Sequence, residues 1–464
     1  MWGDSFMRLK KLKQTGIISM IALMVLLTGC GSGNNSNNNA ATTNEPAATA
    51  ADTAGAGNTG TDMSKPVTLT MMVSGTKAPD GEDFVIDILP KLVKEKFPNV
   101  TLETSKLPDE QYFTSIRTKL SSGQGPDFYW VFPKNASLGV LDMAKAGYAA
   151  DLSDLKFWDN ISKGAKDDMS FEGKPYGVAG GLDFLGTYYN QELFKQVGIT
   201  SPPQDWPSFL EACQKLKDAG ITPIAMGDKD PWVIQFGMYQ IAANVIYPDE
   251  MDFDSKVQAG EKSLSDPKWA KTVSMYKELY DKGYVVKNSL GVGSAQAAQM
   301  FIDGKAAMIL SGTWDFATLT AKGAQEFTPG FFSLPANDPG KPTYVSAATA
   351  AGFALNAKSE NLAVAKEVMN YLFDGQSDLF QAWVKSNNSI SVYKGVPLNH
   401  DLFKNVNDSY LNNGKSVYFP NQMWPTGVAE EMEAKFANII GGKKTAPEEV
   451  TAAMDAKFKE LWKK

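Results

Sequence analysis

The sequence predicts an α/β protein built from two domains. Three observations carry this. Strand and helix patterns alternate over residues 67–132. The chain has 464 residues, 43% of them hydrophobic and 21% charged, which is too much for one simple core. A glycine-softened strand also sits in the middle of the body, between two stretches that each look able to pack alone.

Taken in order, residues 67–74 alternate apolar and polar side chains and read as a first strand. Residues 83–97 are amphipathic, with Phe84, Ile88 and Leu92 on one face, and Pro90 is expected to kink or restart that helix. Pro98-Asn99 stops it, and residues 100–104 form the next strand. Residues 110–120 make a second helix, with Phe113, Ile116 and Leu120 on one face. The run Asp127-Phe-Tyr-Trp-Val-Phe132 is a buried strand. This order implies a mostly parallel sheet flanked by helices, with ligands at the carboxyl ends of its strands. The loops after Val73 and Phe132 are therefore candidate sites.

Residues 173–194 organise the rest. A Gly/Pro turn (Gly173, Pro175, Gly177) leads to the pair Gly180-Gly181 and an aromatic, apolar strand over 182–189. Asn190 suits a helix N-cap, because its side-chain oxygen can accept from free first-turn N–H groups. Beyond it, helices are expected over 205–219, 232–243, 266–282, 294–302, 360–373 and 447–462, and strands over 221–224, 306–310, 331–335 and 351–355. No repeat of 20 to 50 residues is visible.

The N-terminus reads as a targeting device. Arg8, Lys10, Lys11 and Lys13 precede an apolar run over 17–27, which is shorter than the roughly 20 residues needed to span a bilayer. Leu27-Thr-Gly-Cys30-Gly resembles a bacterial lipobox, which implies lipid on Cys30, a signal peptide over 1–29 and a lipidated Cys with tether over 30–64. Met7 serves equally as a start. Residues 31–64 hold no aromatic side chain and cannot offset their ordering entropy by burial.

The longer motif Gly173-Lys-Pro-Tyr-Gly-Val, then Tyr188-Tyr-Asn-Gln-Glu-Leu-Phe-Lys-Gln-Val-Gly-Ile, then Pro202-Pro-Gln-Asp-Trp-Pro-Ser-Phe resembles the hinge-and-helix signature of the family 1 extracellular solute-binding proteins. The resemblance resumes at Gly304-Lys-Ala-Ala-Met and Gly312-Thr-Trp and covers about residues 65–464. It implies a two-lobe periplasmic-binding-protein fold, each lobe a mostly parallel sheet flanked by helices. Lobe 1 would be 65–178 plus 333–374, and lobe 2 would be 182–332 plus 375–464. Crossings would fall near 177–181, 331–335 and 373–376. It also implies an ABC-importer receptor that captures a sugar or oligosaccharide by hinge closure and delivers it to permease subunits. Such a receptor is expected to be a monomer held by lipid at the outer face of the membrane. The lipobox and long tether suggest a Gram-positive cell.

Sugars present hydroxyls that donate and accept, and C–H faces that are apolar. Their receptors need flat aromatics together with carboxylates or amides. Trp314 follows a strand at a turn, and Trp424 stands between Pro420 and Pro425. By family position both are expected to stack on sugar. Trp232, at a helix start after Asp230-Pro231, is a third candidate. Asp183 interrupts the apolar hinge strand, where a carboxylate needs a partner, and matches an acidic sugar-binding position of the family. Asp315 can cap its helix or touch ligand. Phe132, Asn135, Ser74 and Lys77 follow strands and complete the set. Phe132-Pro133-Lys134 replaces a charged loop of the maltose-binding pattern, so the same ligand does not carry over. Trp158, Trp206, Trp269, Trp383 and Trp462 read as packing residues.

Several function classes are disfavoured. The net charge of −7 and the lack of a basic run argue against nucleic acid. Cys30 and Cys213 stand far apart and frame neither a disulfide set nor a metal site. The single histidine, His400, leaves little for His-based chemistry and reads as a surface or capping residue. No cofactor motif is present. The acidic run Asp249, Glu250, Asp252, Asp254 lacks the glycine and terminal Glu of a calcium loop and reads as solvated surface. The alternatives are the same fold binding a non-sugar solute such as a peptide, polyamine or anion, and a secreted polysaccharide-degrading enzyme that uses two carboxylates.

Overall fold

The computed structural model describes residues 61–75, 82–134, 138–321, 323, 325–386, 389–396 and 401–462. The signal region, Cys30, Lys77, Asn135 and His400 lie outside them. Residues 60–464 belong to one compact unit. No described helix is long and apolar enough to cross a membrane.

The strands, in chain order, are β1 (Val67–Ser74), β2 (Val100–Leu107), β3 (Phe128–Val131), β4 (Ser170–Phe171), β5 (Lys174–Pro175), β6 (Val178–Ala179), β7 (Leu182–Asn190), β8 (Thr222–Ala225), β9 (Ala306–Gly312), β10 (Pro329–Phe332), β11 (Val345–Thr349), β12 (Gly352–Leu355) and β13 (Ser416–Tyr418). Among the described residues they form two main sheets and the β4–β5 hairpin. One sheet has the order β2-β1-β3-β12-β6, and the other β13-β11-β7-β9-β8, with β10 pairing β7. β1, β2 and β3 are parallel, as the alternation predicts. The strands nearest the crossings run against their neighbours, so both sheets are mixed.

Local chemistry fixes the elements. Asn190 accepts from the Leu193 N–H at 2.9 Å, which caps the helix Gln191–Gln196. Asp205 and Asp266 cap the helices that follow them. Pro90 falls in the first turn of the helix Leu89–Lys96, where its missing N–H costs nothing, and a π-turn over Phe84–Ile88 absorbs the restart. β7 is mostly buried, with only Leu182, Asp183 and Tyr189 less than fully covered, because its sheet is covered on both faces. Phe184 and Tyr188 join one cluster with Phe331 and Phe403, and Leu185 joins another with Met308 and Leu310. Lobe 1 has its own core, which includes Leu69, Phe128 and Phe353.

The first crossing is at Gly180-Gly181, between β6 and β7. The second is not at 331–335. β10 stays on the lobe 2 sheet, and the chain returns only between β11 and β12, at Ala350-Ala351. The third is not at 373–376 either. The helix Asp378–Ser386 packs on lobe 1, with Trp383 edge-on to Phe84 at 5.0 Å, and Ile390 then pairs with Leu182 before the chain rejoins lobe 2 at the helix Asp401–Ser409. Lobe 1 therefore gains residues 375–386 and 391–394, where Tyr393 pairs with Ile161, and gives up 333–349.

The three crossing segments are laced together. Gly180 N–H donates to Ala351 O at 3.0 Å, Ala350 N–H to Gly181 O at 2.8 Å, and Leu182 N–H to Ile390 O at 2.7 Å. The glycines serve close approach: a Cβ on Gly352 would lie 1.9 Å from Val178 O, and one on Gly181 2.4 Å from Ser389 Cβ.

Candidate functional site

β9 runs against β7, so its carboxyl end lies beside Leu185, near the start of β7 and the first crossing. β9 ends in Gly312, and the turn Thr313–Asp315 follows. Gly312 has no Cβ, so the Trp314 indole folds down over its backbone; a Cβ there would lie 2.3 Å from the indole ring. The Tyr188 hydroxyl donates to Gly312 O at 2.9 Å and pins the strand end. Trp314 is 37% exposed and is the one aromatic among the large apolar side chains left open to solvent in the described residues. Behind it stand Phe236, with ring centroids 5.2 Å apart, and Phe419 at 6.5 Å, and Trp232 lies edge-on to Phe236 at 5.5 Å. Trp314 and the half-buried Trp232 thus belong to one aromatic wall.

Two carboxylates border that wall, each held by hydroxyls. Asp183 accepts from Thr313 Oγ1 at 2.6 Å and from Ser389 Oγ at 2.5 Å, so it ties β7 to the β9 turn and to the third crossing segment. Burial pushes its carboxyl up, and the two hydroxyls pull it partly back. Asp315 accepts from Ser311 Oγ at 2.5 Å and does not cap the helix Phe316–Leu319. Burial, with the negative Asp109 of lobe 1 as a second cause, pushes Asp315 up to about 6. Asp109 accepts from Ser74, which places that residue at the lobe 1 wall. Phe132, at the end of β3, is half-buried against Phe113 at 5.7 Å.

Trp424 is corrected. It is 1% exposed, donates its indole N–H to Asp254 at 2.9 Å, and packs edge-on to Trp269 at 5.4 Å and Tyr239 at 6.1 Å. The turn Pro420–Met423 aims it into the lobe 2 core, and Phe419, just before that turn, takes the place on the wall. The acidic run is corrected in part as well. Asp249 and Glu250 pair with lysines, but Asp254 is buried under Tyr247 and Trp424 and is pushed up to about 6 by that burial. Among the described residues no group of three or more acidic, His or Cys side chains could hold a metal ion.

Phe236, Phe419, Asp109, Ser311 and Thr313 were not legible as site residues. Asp109 could have been found, because it follows the end of β2 as Ser74 ends β1. Phe236 and Phe419 carry no local signal, since one lies within helical spacing and the other before a proline.

A two-lobe body, joined by three crossing segments around a cleft with an aromatic wall and hydroxyl-held carboxylates, defines a solute-binding protein. Residues 78–374 match the model for bacterial extracellular solute-binding proteins, and the chain belongs to that family, which comprises transport receptors of ABC importers and not enzymes. A relative, the multiple sugar-binding protein of Streptococcus mutans serotype c, is 24% identical over 321 residues, or 66% of this chain and 72% of that one. Among solved structures, a chitin oligosaccharide binding protein superposes with a TM-score of 0.74 at 21% identity, over 86% of this chain and 99% of the other. The solute-binding protein RafE in complex with raffinose gives 0.69 at 17%, over 86% and 100%.

Proposed function

We propose that this protein is a membrane-tethered sugar or oligosaccharide receptor. It captures its ligand by closing two lobes about the three crossing segments and delivers it to the permease subunits of an ABC importer. The observation that carries the reading is Trp314. A flat aromatic face lies exposed at a strand end, backed by three further rings and flanked by carboxylates that bind hydroxyls. In this reading the sugar's C–H face lies on Trp314, with Trp232 and Phe132 as further apolar surface. Asp183, Asp315 and Ser74 exchange hydrogen bonds with its hydroxyls, and Asn135, outside the described residues, is a further candidate contact. The sugar-binding names of the relatives support a glycan over a peptide or polyamine. The anchor is lipid on Cys30, with residues 31–64 as the tether, on the outer face of the cell membrane.

The test is a thermal-shift screen of the full chain against mono- and oligosaccharides. A ligand at a hundredfold excess over Kd adds about 2.7 kcal/mol. With an unfolding entropy of about 2.1 cal/mol/K per residue, a body of roughly 400 residues should melt about 3 °C higher. A flat response across glycans, with a shift from a peptide or polyamine, would replace the ligand class.

A further inference from the structure

A second set of contacts joins the lobes beside the aromatic wall, where Tyr418 precedes Phe419. Lys134 of lobe 1 has φ 48, a left-handed conformation that a lysine adopts only under constraint. Its backbone N–H donates to Asp168 O at 2.9 Å, and its ammonium lies 3.0 Å from Asp168 Oδ1. That ammonium also sits 4.0 Å from the centre of the Tyr418 ring, which belongs to lobe 2. The other carboxylate oxygen of Asp168 accepts from the Tyr418 hydroxyl and, at 2.5 Å, from Thr349 Oγ1, both on the lobe 2 sheet. Asp168 is buried, so its charge is held by one cation and two hydroxyls with no water needed. Every group in the set is satisfied without a solute. Thr349 adjoins the crossing at Ala350-Ala351 and can stay on Asp168, but opening the lobes would take the Tyr418 hydroxyl from the carboxylate and its ring from the ammonium.

We propose that Lys134, Asp168, Thr349 and Tyr418 form a solute-independent clasp that biases the lobes toward closure before any ligand arrives. These are positioning residues. They set the affinity for every solute by a common factor, through the closed fraction, without touching the solute. The proposal rests on the hinge-closure reading above but not on the ligand being a sugar.

The experiment is small-angle X-ray scattering of the full chain without solute, for the wild type and for Lys134→Met, Tyr418→Phe and Lys134→Arg. Residues 1–59 are common to all four, so differences report the lobes. The wild type should scatter as the closed form. Lys134→Met and Tyr418→Phe should widen it, by on the order of 1 Å on the roughly 21 Å radius of gyration of a compact 400-residue body. Lys134→Arg, which keeps both the charge and the ring contact, should match the wild type. Circular dichroism melts confirm that each variant folds, and if one does not, the other decides. A wild type that is already open without solute, or four superposable closed profiles, overturns the clasp. A chain that responds to no glycan but still widens on Tyr418→Phe refutes the sugar reading alone.

Discussion

Trp314 and Trp424 look alike in the sequence and should behave oppositely when mutated. The exposed 37% of Trp314 corresponds to roughly 90 Å² of a ~250 Å² side chain. Covering that area with a sugar contributes about 2 kcal/mol at ~25 cal/mol per Å², so Trp314→Ala should weaken binding by at least about tenfold. Its melting temperature should move little, since the lost face was solvent-exposed. Trp424→Phe removes a buried N–H donated to the Asp254 carboxylate at 2.9 Å. Hydrogen bonds to charged groups contribute about 1.5–3 kcal/mol, and the space left by the smaller ring adds to the loss. A total near 3 kcal/mol should lower the melting point of a body this size by about 3–4 °C, with affinity for the best glycan unchanged. The assay pairs circular dichroism melts with isothermal titration calorimetry, using the strongest glycan from the screen. If Trp424→Phe loses affinity at wild-type stability while Trp314→Ala binds normally, the assignment of wall and core is wrong.

Gly312→Ala tests the wall without touching an aromatic residue. The new methyl would lie 2.3 Å from the Trp314 ring and must lift the indole, so calorimetry should show an affinity loss similar to that of Trp314→Ala. The pH dependence of unfolding is a separate test. Burial raises Asp228, Asp254 and Asp315 to about 6, so the folded chain binds protons that the unfolded chain releases. Stability should therefore fall as pH rises from about 4 to about 6, by up to about 1.4 kcal/mol per unit for each such group, and level off above. Asp315→Asn should reduce that fall in urea titrations at pH 5 and 7, and an unchanged difference would show that Asp315 is not held as described.

The local grammar was legible where a cap or a period determines an element. Asn190, Asp205 and Asp266 cap their helices, and β1 to β3 run parallel, because those signals depend on neighbours in the chain. The crossings after the first were misplaced because partner choice is a long-range property. Phe331 looks like a core strand in either lobe, and only the gap beside Tyr188 and Tyr189 decides that β10 stays in lobe 2. Val345-Ser-Ala-Ala-Thr349 has side chains too small to show a period, yet it is buried throughout as β11. The direction in which a Trp points is equally long-range. Pro420 and Pro425 stiffen the backbone at Trp424, but rigidity does not say which way the ring faces.

The charges of the cleft bear on what it accepts. Among the described residues no Lys or Arg forms an ion pair with Asp183, Asp315 or Asp109; they accept from Ser and Thr hydroxyls. The nearby cation, Lys134, is already taken by Asp168 and the Tyr418 ring. An anion entering here would meet carboxylates without a compensating charge, while a dication would gain ion pairs but leave the Trp314 face without an apolar partner. A neutral molecule that offers both hydroxyls and a C–H face uses each surface. It can replace the Ser and Thr hydroxyls, or add to them, without moving a buried charge. The costs of desolvating the carboxylates are then already met by the protein's own hydroxyls, so binding energy goes into ring contact and hydrogen-bond geometry.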